Sequence, residues 1–162
     1  MAGEVDLRFD PTAERLRPMG TPKTQAYAIL RLTLGIDMFL HGATRIASGA
    51  SRFADSVVKE FQGTVLPAWA VESFALPLPF LELSIGLLLA FGLRTRAALV
   101  VGSLLMAVLV CGTALRSDWT TIGLQLVYAV VFYLLLSRVE DNGYSLDRLL
   151  DRSGSSAARS AG

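Results

Sequence analysis

The stretch AALVVGSLLMAVLVCGTAL, residues 97–115, contains 19 consecutive residues without a charged side chain. A helix needs about 20 such residues to cross roughly 30 Å of hydrocarbon. The rest of the chain agrees, because 52% of its 162 residues are apolar and only 18% are charged. With a mean hydropathy of +0.49, this composition is typical of a small integral membrane protein in contact with the lipid bilayer.

Three further segments have the length of membrane-spanning helices. Two of them are apolar runs with few polar members, residues 77–93 and residues 122–137. Pro77 and Pro79 predict a broken or kinked start to the run at residues 77–93. The opening segment, about residues 25–46, is long enough but carries charges. The sequence therefore predicts an all-α fold, an integral membrane four-helix bundle that crosses the inner (plasma) membrane several times.

The bundle is expected to form one domain with a tail at each end. Residues 1–24 are polar, with four acids and four bases, and show no cleavable signal peptide. They are predicted to be an N-terminal cytoplasmic tail. Residues 25–150 form the predicted membrane domain. Residues 151–162, rich in Ser, Ala and Gly, are predicted to be a disordered C-terminal tail.

The connection between the first two spans contains SRFADSVVKEFQ, residues 51–62. Phe53, Val57 and Phe61 recur every four residues, which is the spacing of one helix face. This pattern predicts a short outer amphipathic helix lying on the membrane surface. Two roles stay open for it: a cap on the bundle, or a lid or docking surface for a partner.

The distribution of basic residues outside the spans predicts the orientation. Ten lie on one side of the membrane and four on the other, so the positive-inside rule places the N- and C-termini in the cytoplasm. The ten are Arg8, Arg15, Arg17, Lys23, Arg94, Arg96, Arg138, Arg148, Arg152 and Arg159, and the four are Arg45, Arg52, Lys59 and Arg116.

Composition also excludes several classes of function. The single cysteine, Cys111, excludes an intrachain disulfide and a CxxC redox pair. A formal net charge of +1 gives no indication of nucleic acid as a partner. A lone histidine does not make a metal site. Since the sequence has no haem-ligand pair, glycine-rich dinucleotide loop or iron–sulfur cysteine set, no cofactor is expected in the chain itself.

The first span contains RLTLGIDMFLHGATRI, residues 31–46, with four ionisable side chains. Projected at about 100° per residue, Arg31, Asp37, His41 and Arg45 share one third of the helix circumference. An ionised group at bilayer depth costs about 2.5–3.5 kcal/mol on insertion scales, so these groups should be paired or lie near an interface. Snorkelling of the arginines to the two interfaces is the alternative.

Spacing suggests partners for most of these groups. Asp37 and His41 are four residues apart on the helix, and Glu82 in the second span should lie near His41 and Arg45. Arg31 needs another partner, such as water or a lipid phosphate. Gly35 and Gly42 lie just beyond this sector, where another helix can approach closely. The sequence thus predicts a polar seam that either holds the bundle together or binds a ligand. It comprises Arg31, Asp37, His41, Arg45, Glu82 and Gln125. The alternative for Gln125 is that it only forms an interhelical hydrogen bond.

Three motifs follow one another along the chain: FLHGATRI in the first span, LPLPFLELSIGLLLAFGLRTRAAL across the next two, and YSLDRLL after the fourth. Their order and spacing resemble the DoxX/DoxD-like family of four-helix membrane proteins. The resemblance covers about residues 25–150, and Arg45 stands where lysine is frequent in the family. The matching positions are Arg31, Gly35, His41, Gly42, Arg45, Glu82, Gly86 and residues 92–96.

The resemblance implies a redox role. Some members of the family are the membrane subunit of a thiosulfate:quinone oxidoreductase, and others are associated with a superoxide dismutase and a sulfurtransferase. The implied function is a membrane or accessory subunit of a redox complex, quinone-linked and related to sulfur or thiol metabolism, with protein partner subunits. The alternatives are a non-catalytic scaffold and a small transporter, although inverted repeats are not evident. Catalytic residues are not assigned.

Overall fold

A computed structural model describes residues 20–150, which are helical except for short connections and contain no strand. The all-α class is therefore confirmed for this part of the chain. Most of the predicted tails, residues 1–19 and 151–162, lie outside the described residues. The helices are α1 (Pro22–Ala47), α2 (Ala50–Glu60), α3 (Ala68–Ala75), α4 (Leu78–Phe91), α5 (Thr95–Leu115) and α6 (Trp119–Ser137), followed by a short 3-10 turn (Val139–Asp141).

Among the described residues, three helical segments are long and apolar enough to cross a membrane. They are Ala68–Phe91, Thr95–Leu115 and Trp119–Ser137, and they correspond to the predicted second, third and fourth spans. The predicted first span is the 26-residue helix α1, which has sufficient length but carries the charges noted above. Within residues 20–150, length and composition therefore show three helical segments able to cross a membrane.

Proline divides the first of these segments as the sequence predicts. Helix α3 ends at Ala75, the chain turns through Leu76 and Pro77, and α4 begins at Leu78. Proline has no N–H to donate, and its ring clashes with the preceding helical turn. The backbone N–H of Leu81 then donates to the carbonyl oxygen of Pro77 at 3.1 Å, so the helix resumes immediately after the break.

Small residues allow α1 and α4 to pack backbone against backbone in antiparallel directions. A Cβ atom on Gly35 would lie 2.5 Å from the backbone nitrogen of Ala90, and one on Gly42 would collide with Pro79 and Leu83. Gly86 of α4 faces the backbone of Phe39 in the same way. The close approach expected at Gly35 and Gly42 is therefore confirmed, and α4 is the helix that approaches.

The other pairs complete one packed unit. Helix α5 packs against α6 and α4, and α1 also contacts α6. The ring of Phe132 on α6 lies over Gly102 of α5, where any side chain on the glycine would displace it. The largest fully buried apolar side chains at the centre are Phe132, Leu89, Leu99 and Leu135.

The predicted amphipathic helix is present as α2, and it packs across the end of the bundle where α1 and α5 finish. Phe53 lies under the guanidinium of Arg45, with 4.6 Å between Cζ and the ring centroid. Phe61 lies 5.4 Å from the guanidinium carbon of Arg116 in the same way, and its ring reaches Gly112 of α5. Phe53 and Phe61 thus form cation–π contacts in addition to their place on the apolar face.

The chain after α6 folds back and closes the opposite end. The carboxylate of Asp147 accepts hydrogen bonds from the backbone N–H groups of Arg94, at 2.6 Å, and Thr95, at 2.8 Å. The N–H of Asp147 donates in turn to the carbonyl oxygen of Gly92 at 3.0 Å. These bonds hold Arg94 in the left-handed region at φ 47°, a conformation that costs a non-glycine residue about 1–2 kcal/mol.

Candidate functional site

Arg45 of α1 and Glu82 of α4 form an ion pair that joins the two helices. One nitrogen of the guanidinium contacts both carboxylate oxygens. The Glu82 side chain is 5% exposed, whereas that of Arg45 is 29% exposed and is covered on one face by Phe53. A buried carboxylate requires a partner, and Arg45 supplies it. This agrees with the neighbour that the sequence suggests for Glu82.

Asp37 and His41 form the second polar group, together with a tyrosine that the sequence prediction did not include. The Nδ1 atom of His41 lies 3.4 Å from a carboxylate oxygen of Asp37. Tyr128 of α6 donates its hydroxyl to the same oxygen at 2.7 Å, and its ring meets the imidazole edge-on at 6.4 Å between centroids. The cluster therefore joins α1 to α6.

The hydrogen bonds of His41 define which ring nitrogen is free to react. Nδ1 also lies 3.0 Å from the backbone carbonyl oxygen of Asp37, an atom that can only accept. Nδ1 therefore carries a proton, and Nε2 is left to accept a proton or, once protonated, to donate a hydrogen bond. The side chains of His41 and Asp37 are 45% and 39% exposed, so a molecule beside the bundle can reach them.

Arg31 lies apart from these two clusters, towards the end of the bundle closed by the chain after α6. It is 4% exposed, and its guanidinium donates to the carbonyl oxygens of Leu89 and Ala90 and, at 2.7 Å, to that of Tyr144. Within residues 20–150, backbone carbonyl groups are thus the partners of its two terminal nitrogens, while its buried Nε has no hydrogen-bond partner. The last carbonyl groups of α4 have no partner within that helix. That of Ala90 accepts from Arg31, and that of Leu89 accepts from both Arg31 and the N–H of Gly92.

Gln125 makes an interhelical hydrogen bond rather than joining the other polar residues. Its amide nitrogen donates to the hydroxyl oxygen of Thr113 on α5 at 2.9 Å, and that hydroxyl donates to the carbonyl of Leu109 at 2.8 Å. The predicted polar seam thus divides into the Arg45–Glu82 pair, the Asp37–His41–Tyr128 cluster, the buried Arg31 and this separate contact. Its role in ligand binding stays a prediction.

The described residues contain no group of three or more His, Cys, Asp or Glu side chains positioned to hold a metal ion. The Asp37–His41–Tyr128 cluster offers different chemistry, namely a hydroxyl, an imidazole and a carboxylate that can exchange protons with a bound molecule. Tyr128 is the one hydroxyl-bearing aromatic residue midway along α6. Its polar tip in an otherwise apolar run is the signal by which sequence inspection could have found it.

These features define an all-helical membrane protein in which α1 and α4 pack against each other through small residues and an ion pair. Comparison with known families assigns it more closely. The family model described as DoxX matches residues 26–116, more than half of the chain. The chain belongs to the DoxX family. No curated protein and no solved structure matches it.

Proposed function

We propose that four helices of this chain cross the inner (plasma) membrane, with both termini in the cytoplasm. Helix α1 has 26 residues, or about 39 Å at 1.5 Å per residue, which exceeds the hydrocarbon thickness. It packs along α4, which belongs to a segment apolar enough to cross. Arg45 is paired with Glu82, and two nitrogens of Arg31 donate to backbone carbonyl groups, which lowers the cost of inserting these charges.

Cysteine labelling tests this topology. With Cys111→Ser as the background, Lys23→Cys and Ser48→Cys place one thiol at each end of α1. A membrane-impermeant maleimide applied to intact spheroplasts is expected to label the cysteine at position 48, and to label the one at position 23 only after permeabilisation. Labelling of both positions from the same side would show that α1 does not cross, and the reversed pattern would overturn the orientation.

We further propose that the protein is a membrane or accessory subunit of a quinone-linked redox complex that acts in sulfur or thiol metabolism. The observation that carries this proposal is the Asp37–His41–Tyr128 cluster. The cluster joins α1 to α6 through Tyr128, midway along α6, and its His41 and Asp37 side chains are 45% and 39% exposed. Exposed apolar side chains border it, Ile36 and Leu40 on α1 among them, so a lipophilic ligand can reach it from the bilayer.

The cluster can supply a hydrogen bond and a proton to one carbonyl oxygen of a quinone headgroup. A quinone supplies two carbonyl oxygens that take up electrons and protons. Nε2 of His41 can donate a hydrogen bond and then a proton to such an oxygen, while the carboxylate of Asp37 stabilises the imidazolium form. The Tyr128 hydroxyl holds that carboxylate in place from α6. The electrons are proposed to come from a partner subunit of the complex.

Quinone binding by the purified protein tests this role. A short-chain naphthoquinone or benzoquinone is titrated into the protein in detergent, with His41→Gln and Tyr128→Phe as test variants. Both variants are expected to weaken binding at least tenfold and to lower quinone reduction by the assembled complex. Thr33→Val is the matched control, because its hydroxyl contacts only the carbonyl of Ile29 on its own helix. Equal quinone binding by all four proteins would overturn the proposal.

A non-catalytic scaffold is the second candidate, and the surface of α6 favours it. Only Ile122, Phe132 and Leu135 of this helix are buried, whereas Leu126, Val130 and Tyr133 are more than half exposed. A photo-crosslinking residue at Val130 is expected to capture one defined subunit, and the same residue at Val108 on α5 to capture lipid alone. Such a result with no quinone binding would favour the scaffold.

A further inference from the structure

An open groove of about 730 Å³ lies beside the start of α5, at the end of the bundle opposite α2. Its lining includes Arg94 and Arg96 at the start of α5 and, one to two turns further along the helix, the apolar wall formed by Val100 and Val101. The groove is thus cationic at one end and apolar along its length. It lies away from the Asp37–His41–Tyr128 cluster and shares no residue with it.

The two guanidinium groups are available to a ligand. Arg94 and Arg96 are exposed, and neither forms an ion pair with any residue between positions 20 and 150. Asp147 is the acidic residue of the groove, and its two carboxylate oxygens accept hydrogen bonds from the backbone N–H groups of Arg94 and Thr95. The groove therefore presents positive charge, while its acid is directed towards the backbone.

The apolar wall continues along α5 beyond the groove. Five exposed side chains form one stripe on the helix surface, since Ala97, Val101, Leu104 and Val108 recur every three or four residues and Val100 lies beside Val101. From Arg94 to Val108 the helix rises about 21 Å. The order along the helix, cations first and then apolar side chains, is the order of a phospholipid from headgroup to acyl chain.

We propose that this groove binds an anionic glycerophospholipid. Arg94 and Arg96 contact the phosphate, and one acyl chain lies along the apolar stripe of α5. Guanidinium groups form bidentate hydrogen bonds with phosphate oxygens, and basic residues next to a membrane-spanning helix attract anionic lipids. Because α5 is long and apolar enough to cross, the arginines lie where headgroups lie. The proposal is independent of the redox role and of which leaflet supplies the lipid.

Native mass spectrometry of the full chain tests the site directly. The protein in detergent is titrated with phosphatidylglycerol and, separately, with phosphatidylcholine of the same acyl chains. The unmodified chain is expected to bind phosphatidylglycerol roughly tenfold more tightly. In Arg94→Gln/Arg96→Gln this preference is expected to disappear, and in Arg94→Lys/Arg96→Lys to fall by about half, because lysine keeps the charge but loses the bidentate geometry.

The control variant removes the same charge from the other end of the molecule. Arg52→Gln/Lys59→Gln alters two exposed cations of α2 and is expected to leave the preference unchanged. An equal loss in this variant would show a general charge effect and would overturn the site. Retention of the preference in Arg94→Gln/Arg96→Gln would overturn it as well. Displacement of the lipid by an equal concentration of glycerol 3-phosphate would show that the groove binds a free phosphate ester, and it would overturn the proposal of a lipid site.

Discussion

The carboxylate of Asp147 caps α5 at Thr95, a residue that precedes it by 52 positions. Helix caps are usually supplied by the residue just before the helix. At the start of α5 that position belongs to Arg94, whose side chain forms no cap. Asp147 therefore joins the chain after α6 to the tight turn between α4 and α5.

Replacing Asp147 by alanine is expected to lower the free energy of unfolding by about 1 kcal/mol, because two backbone N–H groups lose their acceptor. Thermal unfolding in detergent, followed by circular dichroism, measures the change. Asp147→Asn keeps one carbonyl oxygen and is expected to lose less. An alanine variant as stable as the unmodified protein would contradict the capping role.

A methyl group at Gly86 is expected to destabilise the protein by about 1–3 kcal/mol. The new Cβ would collide with the backbone of Phe39, and packed helices cannot separate without losing the contacts between them. Gly123 on α6 provides the matched control, since a Cβ there meets no atom within 4 Å. Gly123→Ala is expected to leave stability unchanged or raise it by up to about 1 kcal/mol. Similar melting temperatures for the two alanine variants would refute this account of the α1–α4 contact.

Removing one member of the Arg45–Glu82 pair is expected to be more harmful than removing both. Glu82→Gln leaves the arginine without its counter-charge, and breaking a buried pair in this way costs about 3–5 kcal/mol. The double variant Arg45→Gln/Glu82→Gln has no unpaired charge and should recover part of that loss. A double-mutant cycle on chemical unfolding in mixed micelles gives the coupling, and strictly additive losses would show that the pair contributes little.

Asp118 caps the start of α6, and the strength of this cap depends on pH. The hydroxyl and backbone N–H of Thr121 donate to its carboxylate at 2.6 and 3.1 Å, and these bonds lower the pKa of Asp118 below its ordinary value of 3.8. A lowered pKa in the folded state means that the stabilisation is complete above pH 3.8 and is lost as the pH falls below it. We expect melting curves at pH 7 and pH 3 to differ less for Asp118→Asn than for the unmodified protein. An unchanged difference would assign the acid sensitivity to other groups.

Interactions within one helix, and those governed by helix spacing, were predictable from the sequence. Asp37 and His41 are four residues apart, so their contact follows from one turn of helix. Gly35 and Gly42 mark one face of α1 for the same reason. The Arg45–Glu82 pair was predictable because buried charges need partners and both residues lie near the same end of antiparallel helices.

Contacts that depend on the fold of the whole chain were not predictable. Arg31 was expected to need water or lipid, yet it binds the carbonyl oxygen of Tyr144, 113 residues away. A backbone carbonyl is present at every position, so sequence carries no signal for it. Tyr128 and Asp147 were missed because periodicity identifies the face of a helix but not the helix that packs against it.

The two contacts made by Tyr144 and Asp147 also affect the order in which the protein can be assembled. The ribosome synthesises α1, α4 and α5 before it makes either residue. Until then, Arg31 lacks one of its acceptors and the first N–H groups of α5 lack their cap. That end of the molecule can therefore reach its native form only after the segment that follows α6 has been synthesised.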